Sequence, residues 1–141
     1  GAAGSAGALI DLGTAEQISR GYVGDEKHKL VWRGFPGHMA KDKVKLLLNL
    51  IAVAITALPH GGEIEVLMSG VAEAPNFVVR CRGKSARAPR HLGEFILGEG
   101  MPALDAMTIQ AYYTWRLAES AGMTLSIVKD GDDVLLSALG D

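Results

Sequence analysis

A single cysteine, Cys81, is all the sequence offers toward disulfide chemistry, so no bridge can close within the chain and a reducing cytoplasm is the expected setting. Charge of one sign is equally scarce. Fourteen Lys and Arg against 16 Asp and Glu leave a formal net charge of −2, without the basic excess that nucleic-acid binders carry. No nucleic-acid partner is expected, and any basic patch has to be local. Long apolar runs are missing too: the longest, Leu46 to Leu58, is broken by Asn49 and Thr56 and falls short of the roughly 20 residues that span a bilayer, so no membrane association is expected. The start of the sequence lacks the basic flank and apolar stretch of a signal peptide. No internal repeat or low-complexity tract appears. What remains is 141 residues, room for one domain with a substantial core and too few for two.

Thr14 is placed to cap a helix running through "AEQISRGYV", with Glu16 in its first turn where the helix dipole favours a negative charge. The alternating "KLVWRG" predicts a short strand near Lys29 to Arg33. The strongest helix is "AKDKVKLLLNLIAVAITAL": good helix formers, no internal Gly or Pro, and a stop at Pro59 followed by Gly61-Gly62. Beyond Leu46 it is apolar almost all round, so it should be buried on more than one side. "GEIEVLMSG" and "NFVVRCRGK", separated by a polar break at Glu73 to Asn76, predict an antiparallel hairpin. Ser85 to Leu104 is punctuated by Gly and Pro, with one short helix around His91 to Leu97. "ALDAMTIQAYYTWRLAESAG" predicts a long helix capped near Asp105 and closed by Gly122, and "MTLSIVKDGDDVLLSAL" a hairpin turning at Asp130-Gly131. The order α-β-α-β-β-α-α-β-β implies an α/β (α+β) two-layer sandwich with a mixed, mostly antiparallel sheet.

Chemistry-bearing residues are thinly spread. His28, His38, His60 and His91 lie in expected turns, loops or the start of a short helix, which reads as surface histidine; none is followed by an acidic residue. No pair of them has ligand spacing, and Cys81 has no cysteine partner, so no metal site is expected and Cys81 reads as a small core residue. Tyr112, Tyr113 and Trp115 cannot all face one way on a helix. Core packing is the plainer reading for them, with one aromatic left to cover a cleft or meet a neighbour. "GAAGSAG" lacks the preceding strand and the following Gly-Lys-Ser/Thr of a phosphate loop.

"NLIAVAITALPHGG" resembles the N box of sensor histidine kinases, a helix reading Asn-Leu-x-x-Asn-Ala that ends at a Pro-x-Gly-Gly turn, and "AYYTWRLAESAGMTLSI" resembles the last helix and strand of the same ATP-binding domain. The resemblance covers roughly Lys29 to Leu139 and implies the histidine-kinase-like (Bergerat, or GHKL) ATPase fold. Its nucleotide equipment departs from the pattern. Where the family's second Asn holds magnesium, this chain has Val53, which offers a hard cation no oxygen. Where Asp-x-Gly-x-Gly meets the adenine amine, "CRGKS" puts Cys81 for the acid and Ser85 for the second Gly. The Gly-x-Gly that lets amides approach phosphate matches "TIQA", with Thr108 and Gln110. Asn49 keeps the first Asn, either as residual ligand contact or as an amide hydrogen-bonding a neighbouring loop.

One family resembles a kinase with these losses. "GAAGSAGALIDLG", "VKLLLNLIAVAITALPHGG" and "MTIQAYYTWRLAESAG" are similar to the ChpT-type histidine phosphotransferases of bacterial phosphorelays. The resemblance implies residues 1–26 as the end of a helical-hairpin region and linker helix, and 27–141 as a degenerate kinase-like domain. The phospho-accepting His and the dimerising hairpin would lie outside this chain. No cofactor is implied, the magnesium being supplied by the receiver-domain partner. The implied partners are response-regulator receiver domains and a hybrid histidine kinase receiver domain, in a cytoplasmic homodimer.

Arg80, Arg82 and Lys84 share one strand face by their spacing of two, and Arg87 and Arg90 follow, five positive charges within eleven residues. They read either as a solvated face or as the docking site for the carboxylates that a receiver domain presents, which arginine's planar fork suits. Two other readings stay open for the whole: a non-catalytic module that binds response regulators, and a divergent ATP-dependent kinase.

Overall fold

The structure is a computed structural model and describes residues 7–99, 103–106 and 108–140. Most of the small-residue N-terminal run, residues 1–6, therefore lies outside the described residues, as do 100–102 in the punctuated segment and Met107 in the expected long helix. Chain order is β1 (Leu9–Asp11), α1 (Leu12–Val23), β2 (His28–Arg33), β3 (His38–Ala40), α2 (Lys41–Thr56), β4 (Gly62–Val71), β5 (Ala74–Arg82), α3 (Arg90–Leu97), α4 (Ile109–Ser120), β6 (Met123–Asp130) and β7 (Asp133–Gly140). Five strands form one sheet in the order β2-β4-β5-β7-β6. β2 and β4 run parallel and every other neighbouring pair antiparallel, so the sheet is mixed and mostly antiparallel as expected. The parallel pair needs a crossover, and α2 supplies it.

Period two decides the layers. Along β5, Phe77, Val79 and Cys81 are buried while the residues between them are not, and Ile64, Val66, Leu136 and Ala138 extend that face across the neighbouring strands. The helices cover it. α2 lies centrally, packed between α1 and α4, with Leu46, Leu47, Leu50, Ile51 and Ala54 fully buried. Leu12, Ala15 and Val23 of α1 join the same core. The outer stripe of α2, including Leu48, Asn49, Ala52 and Ile55, is only partly covered, so its apolar sequence is not matched by burial all round.

Several local expectations are corrected. Asp11, not Thr14, caps α1: its carboxylate accepts from the Thr14 amide at 2.9 Å, because β1 delivers Asp11 in extended backbone beside the open helix end. Glu16 instead pairs with Arg20 one turn on, at 2.7 Å. β1 and β3 form a two-stranded antiparallel ribbon that their three-residue lengths concealed. The first hairpin turns at Ala72-Glu73, and Pro75 sits inside β5 at its end, tolerated beside the turn. The last hairpin turns on Gly131-Asp132, with Gly131 at φ 63° and Asp130 already paired to Asp133.

α4 begins at Ile109, later than expected. Asp105 caps a turn before it, accepting from the Thr108 amide at 3.1 Å while its own amide donates to Thr108 Oγ1 at 3.0 Å. That reciprocal pair satisfies the backbone without extending the helix.

Candidate functional site

The region that resembles the nucleotide boxes of histidine kinases is built from two loops pressed backbone to backbone. Proline and glycine stop α2, and Gly61 and Gly62 adopt φ 86° and 139°. A side chain on Gly62 would meet Arg82 O at 2.1 Å, and one on Gly83 would meet Gly61 O at 2.3 Å. Only glycine allows that approach. Ser85, at the position of the second Gly in the kinase box, holds φ 61°, the left-handed region that a serine enters at a cost. The loop thus holds a left-handed turn at a position occupied by serine.

Its floor has changed chemistry. Cys81 is fully buried in the sheet, and burial, aided by the nearby Asp133 charge, pushes its thiol up to about 12. Below that pH it is a neutral group with almost no hydrogen-bonding power toward an amine. Val53 is 4% exposed and contributes only methyl surface. Thr108 is buried and occupied by its own loop, donating to Ala103 O at 2.7 Å.

α2 and α4 pack against each other. Gln110 Nε2 donates to Asn49 Oδ1 at 2.5 Å across that junction, and Asn49 Nδ2 donates to Lys45 O one turn back at 2.8 Å. Asn49 is thus bonded to the neighbouring helix and its own, rather than to a loop. Beside the pair a cleft of about 330 Å³ runs over α2 toward α1, lined by Tyr22, Leu48, Asn49, Ala52, Ile55 and Gln110. Behind α4, Phe95 stacks on Trp115 with centroids 5.7 Å apart, and Tyr112 tilts against Phe95 at 5.6 Å. Tyr113 is the aromatic left exposed.

The basic residues are not assembled as their spacing suggested. β5 ends at Arg82, so Lys84 stands in the following turn instead of continuing the strand face. Arg80 donates to Asp133 at 2.8 Å and to Asp130 at 3.3 Å, and Arg82 donates to the same Asp133 oxygen at 3.0 Å, with Glu63 at 3.9 Å. The hydrogen bond from Arg80, then that from Arg82, holds the Asp133 carboxyl below its usual range, while Asp133 raises the Arg80 guanidinium. Arg90 lies 3.8 Å from Glu94. Among the described residues, Lys84 and Arg87 are the members of the five with no acidic partner. The neutralising Asp130 and Asp133 lie 50 and 53 residues beyond Arg80, a pairing that only the β5–β7 register brings about.

The surface reading of the histidines fails for His28. It is buried at the start of β2, its Nε2 donating to the Leu58 carbonyl at 2.9 Å, which also accepts from the Gly61 amide at 3.0 Å in the turn after α2. His38 and His60 are exposed, and His91 Nδ1 lies 2.9 Å from Glu94 on α3. Among the described residues, no three His, Cys, Asp or Glu side chains are grouped to hold a metal ion, and no helix is long and apolar enough to cross a membrane.

Residues 12–133 match the family described as the histidine phosphotransferase C-terminal domain. Protein phosphotransferase ChpT from Brucella abortus (strain 2308) is 40% identical over 139 residues, which cover 98% of this chain and 66% of that protein. A bacterial phosphotransferase solved at 1.7 Å superposes with a TM-score of 0.87 at 37% identity, again over 98% of this chain and 66% of the other. The chain therefore spans 66% of the length of these relatives. The catalytic domain of the histidine kinase ThkA superposes over 93% of this chain and 92% of its own, with a TM-score of 0.65 at 13% identity, a likeness of fold alone.

Proposed function

The chain belongs to the histidine phosphotransferase C-terminal domain family, and from that premise we propose that it is the partner-recognising domain of a phosphotransferase in a bacterial two-component phosphorelay. The phosphoryl group passes from the receiver aspartate of a hybrid histidine kinase to a histidine on a helical hairpin outside these 141 residues, and then to a response-regulator aspartate. The imidazole nitrogen attacks phosphorus and the aspartyl carboxylate leaves; the reverse exchange is open because the phosphoramidate is itself a high-energy bond. The receiver supplies the magnesium that shields the transferring oxygens. The hairpin pairs two such proteins in the cytoplasm, and this domain orients the incoming receiver.

The observation that carries the reading is the chemistry of the nucleotide positions. A methyl-bearing Val53, a buried neutral Cys81 and the Gln110–Asn49 bond stand where an ATPase would need a magnesium ligand, a carboxylate and open backbone amides. A domain of this family so equipped uses its fold for binding and leaves phosphoryl chemistry to its partner.

For docking, Arg80, Arg82, Lys84, Arg87 and Arg90 remain the proposed surface, with Lys84 and Arg87 meeting partner carboxylates directly and Arg80 and Arg82 doing so by exchange with Asp133. Two measurements test the reading. Calorimetric titration with magnesium and ATP should give no binding, and a micromolar magnesium-dependent complex would sink the proposal. Incubation of the relative-length protein with an aspartyl-phosphorylated receiver should label a histidine; receiver binding without label would make this a non-catalytic binding module.

A further inference from the structure

The two edges of the five-stranded sheet are finished differently. At the β2 edge, Arg20 of α1 donates into the strand backbone at Leu30 O, 3.2 Å away, and Lys29 and Arg33 put charge along a six-residue strand. Charged side chains and covering elements are how sheets blunt an edge against pairing with another chain. β6, at the opposite edge, is not blunted. It runs eight residues, pairs with β7 without a bulge from Met123 to Asp130, contains no proline and carries no charge before Lys129. Among the described residues, no backbone or side-chain group hydrogen-bonds to the main chain on its outer side.

Alternation fixes which groups are open. Gly131 and Asp132 form a two-residue turn, so Asp130 and Asp133 are a hydrogen-bonded pair, and every second residue back from Asp130 directs its main chain to β7. Met123, Leu125, Ile127 and Lys129 therefore turn their N–H and C=O to the open edge. Their side chains lie on the helix side of the sheet, where Met123 and Leu125 are buried. A cavity of about 210 Å³ opens beside those two, lined also by Ile96, Trp115 and Ala118. An apolar cavity of about 150 Å³ holds a benzene ring, so this one has room for a large apolar side chain. At the far end of the strand Lys129 has no acidic partner among the described residues, and its ammonium donates to Ala86 O at 3.4 Å.

An open main-chain edge selects an extended partner, because a strand offers donors and acceptors at the matching repeat. The cavity and the unpaired ammonium add the side-chain requirements. We propose that β6 is a strand-addition site that takes up an extended segment of a partner protein, antiparallel to β6, with a large apolar side chain in the cavity beside Leu125 and an acidic side chain opposite Lys129. A second copy of this chain is the poorer occupant. A two-fold axis through the middle of β6 sets the mate's Lys129 against Met123 or Leu125, at the apolar cavity. The inference does not depend on the phosphorelay role.

The probe is a dye-labelled peptide, Glu-Thr-Val-Thr-Phe-Thr-Val, blocked at both ends. Fluorescence anisotropy with the 141-residue chain should give saturable binding with a dissociation constant of roughly 10–100 μM. In an antiparallel pair the residues whose side chains meet the helix side also turn their main chain to β6. N-methylation of the peptide's Val and Phe amides should therefore weaken binding by about tenfold or more, and N-methylation of its Thr amides by less than about threefold. Alanine in place of the phenylalanine should cost about tenfold or more. Lys129→Glu, at an exposed position, should weaken binding roughly three- to tenfold, and a peptide with lysine in place of its glutamate should regain it. Absence of saturable binding, equal loss from both methylation patterns, or failure of the charge-reversed pair to recover overturns the proposal. Self-association of the chain that the peptide competes away would give the edge to a second copy and overturns it as well.

Discussion

Gln110 on α4 donates a hydrogen bond to Asn49 on α2. Two residues 61 positions apart in sequence are thereby joined across the α2–α4 junction. Asn49, which stands at the N-box position by resemblance, is engaged with a side chain of its own protein, and Val53 one turn on is sealed in the core.

Restoring the lost magnesium ligand alone should not restore nucleotide binding. Val53→Asn places an amide in a site with apolar neighbours, so urea denaturation should show a loss of about 2–3 kcal/mol. ATP titration with magnesium should stay flat, since Cys81 and Gln110 remain; saturable binding by this variant would contradict the account of the cleft.

The glycine contact between the two loops should tolerate no side chain. Gly83→Ala drives a methyl into Gly61 O, and both partners are backbone, so a stability loss of about 2–4 kcal/mol is expected. Ser85 should behave in the opposite sense. Ser85→Gly relieves its positive φ and should be neutral to about 1 kcal/mol stabilising, while Ser85→Val should destabilise.

The Cys81 thiol should be silent in the native state. With its pKa raised from 9.0 to about 12, it should not react with a thiol-specific disulfide reagent at mildly alkaline pH until denaturant is added. The sign of the linkage follows. Because the folded protein holds this proton more tightly, the stabilisation is full below about 9 and is lost as pH rises toward about 12. Cys81→Ala should flatten that alkaline decline; native-state labelling at neutral pH would show the thiol to be accessible.

Asp133 should matter most at neutral pH. Its folded-state pKa lies below the ordinary 3.8, so its contribution is present above that value and disappears as pH falls through the folded value. Asp133→Asn should cost about 1 kcal/mol at neutral pH and nothing at strongly acidic pH, as read from urea midpoints. If receivers dock on Arg80 and Arg82, the same variant should also bind an acidic receiver surface severalfold tighter, because no internal carboxylate competes. Unchanged affinity in Asp133→Asn, alongside weakened binding in Lys84→Glu, would confine docking to the loop.

Apart from the three-residue β1 and β3, the elements and their order were legible in the sequence because each rests on local chemistry: the uninterrupted helix formers of α2, the period-two strands, and the glycines that end them. The absence of a carboxylate or amide side chain at Val53 and Cys81 was equally plain, since neither residue type carries one in any fold. The strand register was not legible, and it set Asp133 between Arg80 and Arg82, turning an apparent positive stripe into a neutralised network. Nor was the burial of His28, whose partner carbonyl lies 30 residues away at the end of another element. Sequence spacing determines which face a side chain takes within its own helix or strand. What that face meets depends on packing between segments distant in the chain, and only the tertiary structure decided that Gln110 would close on Asn49.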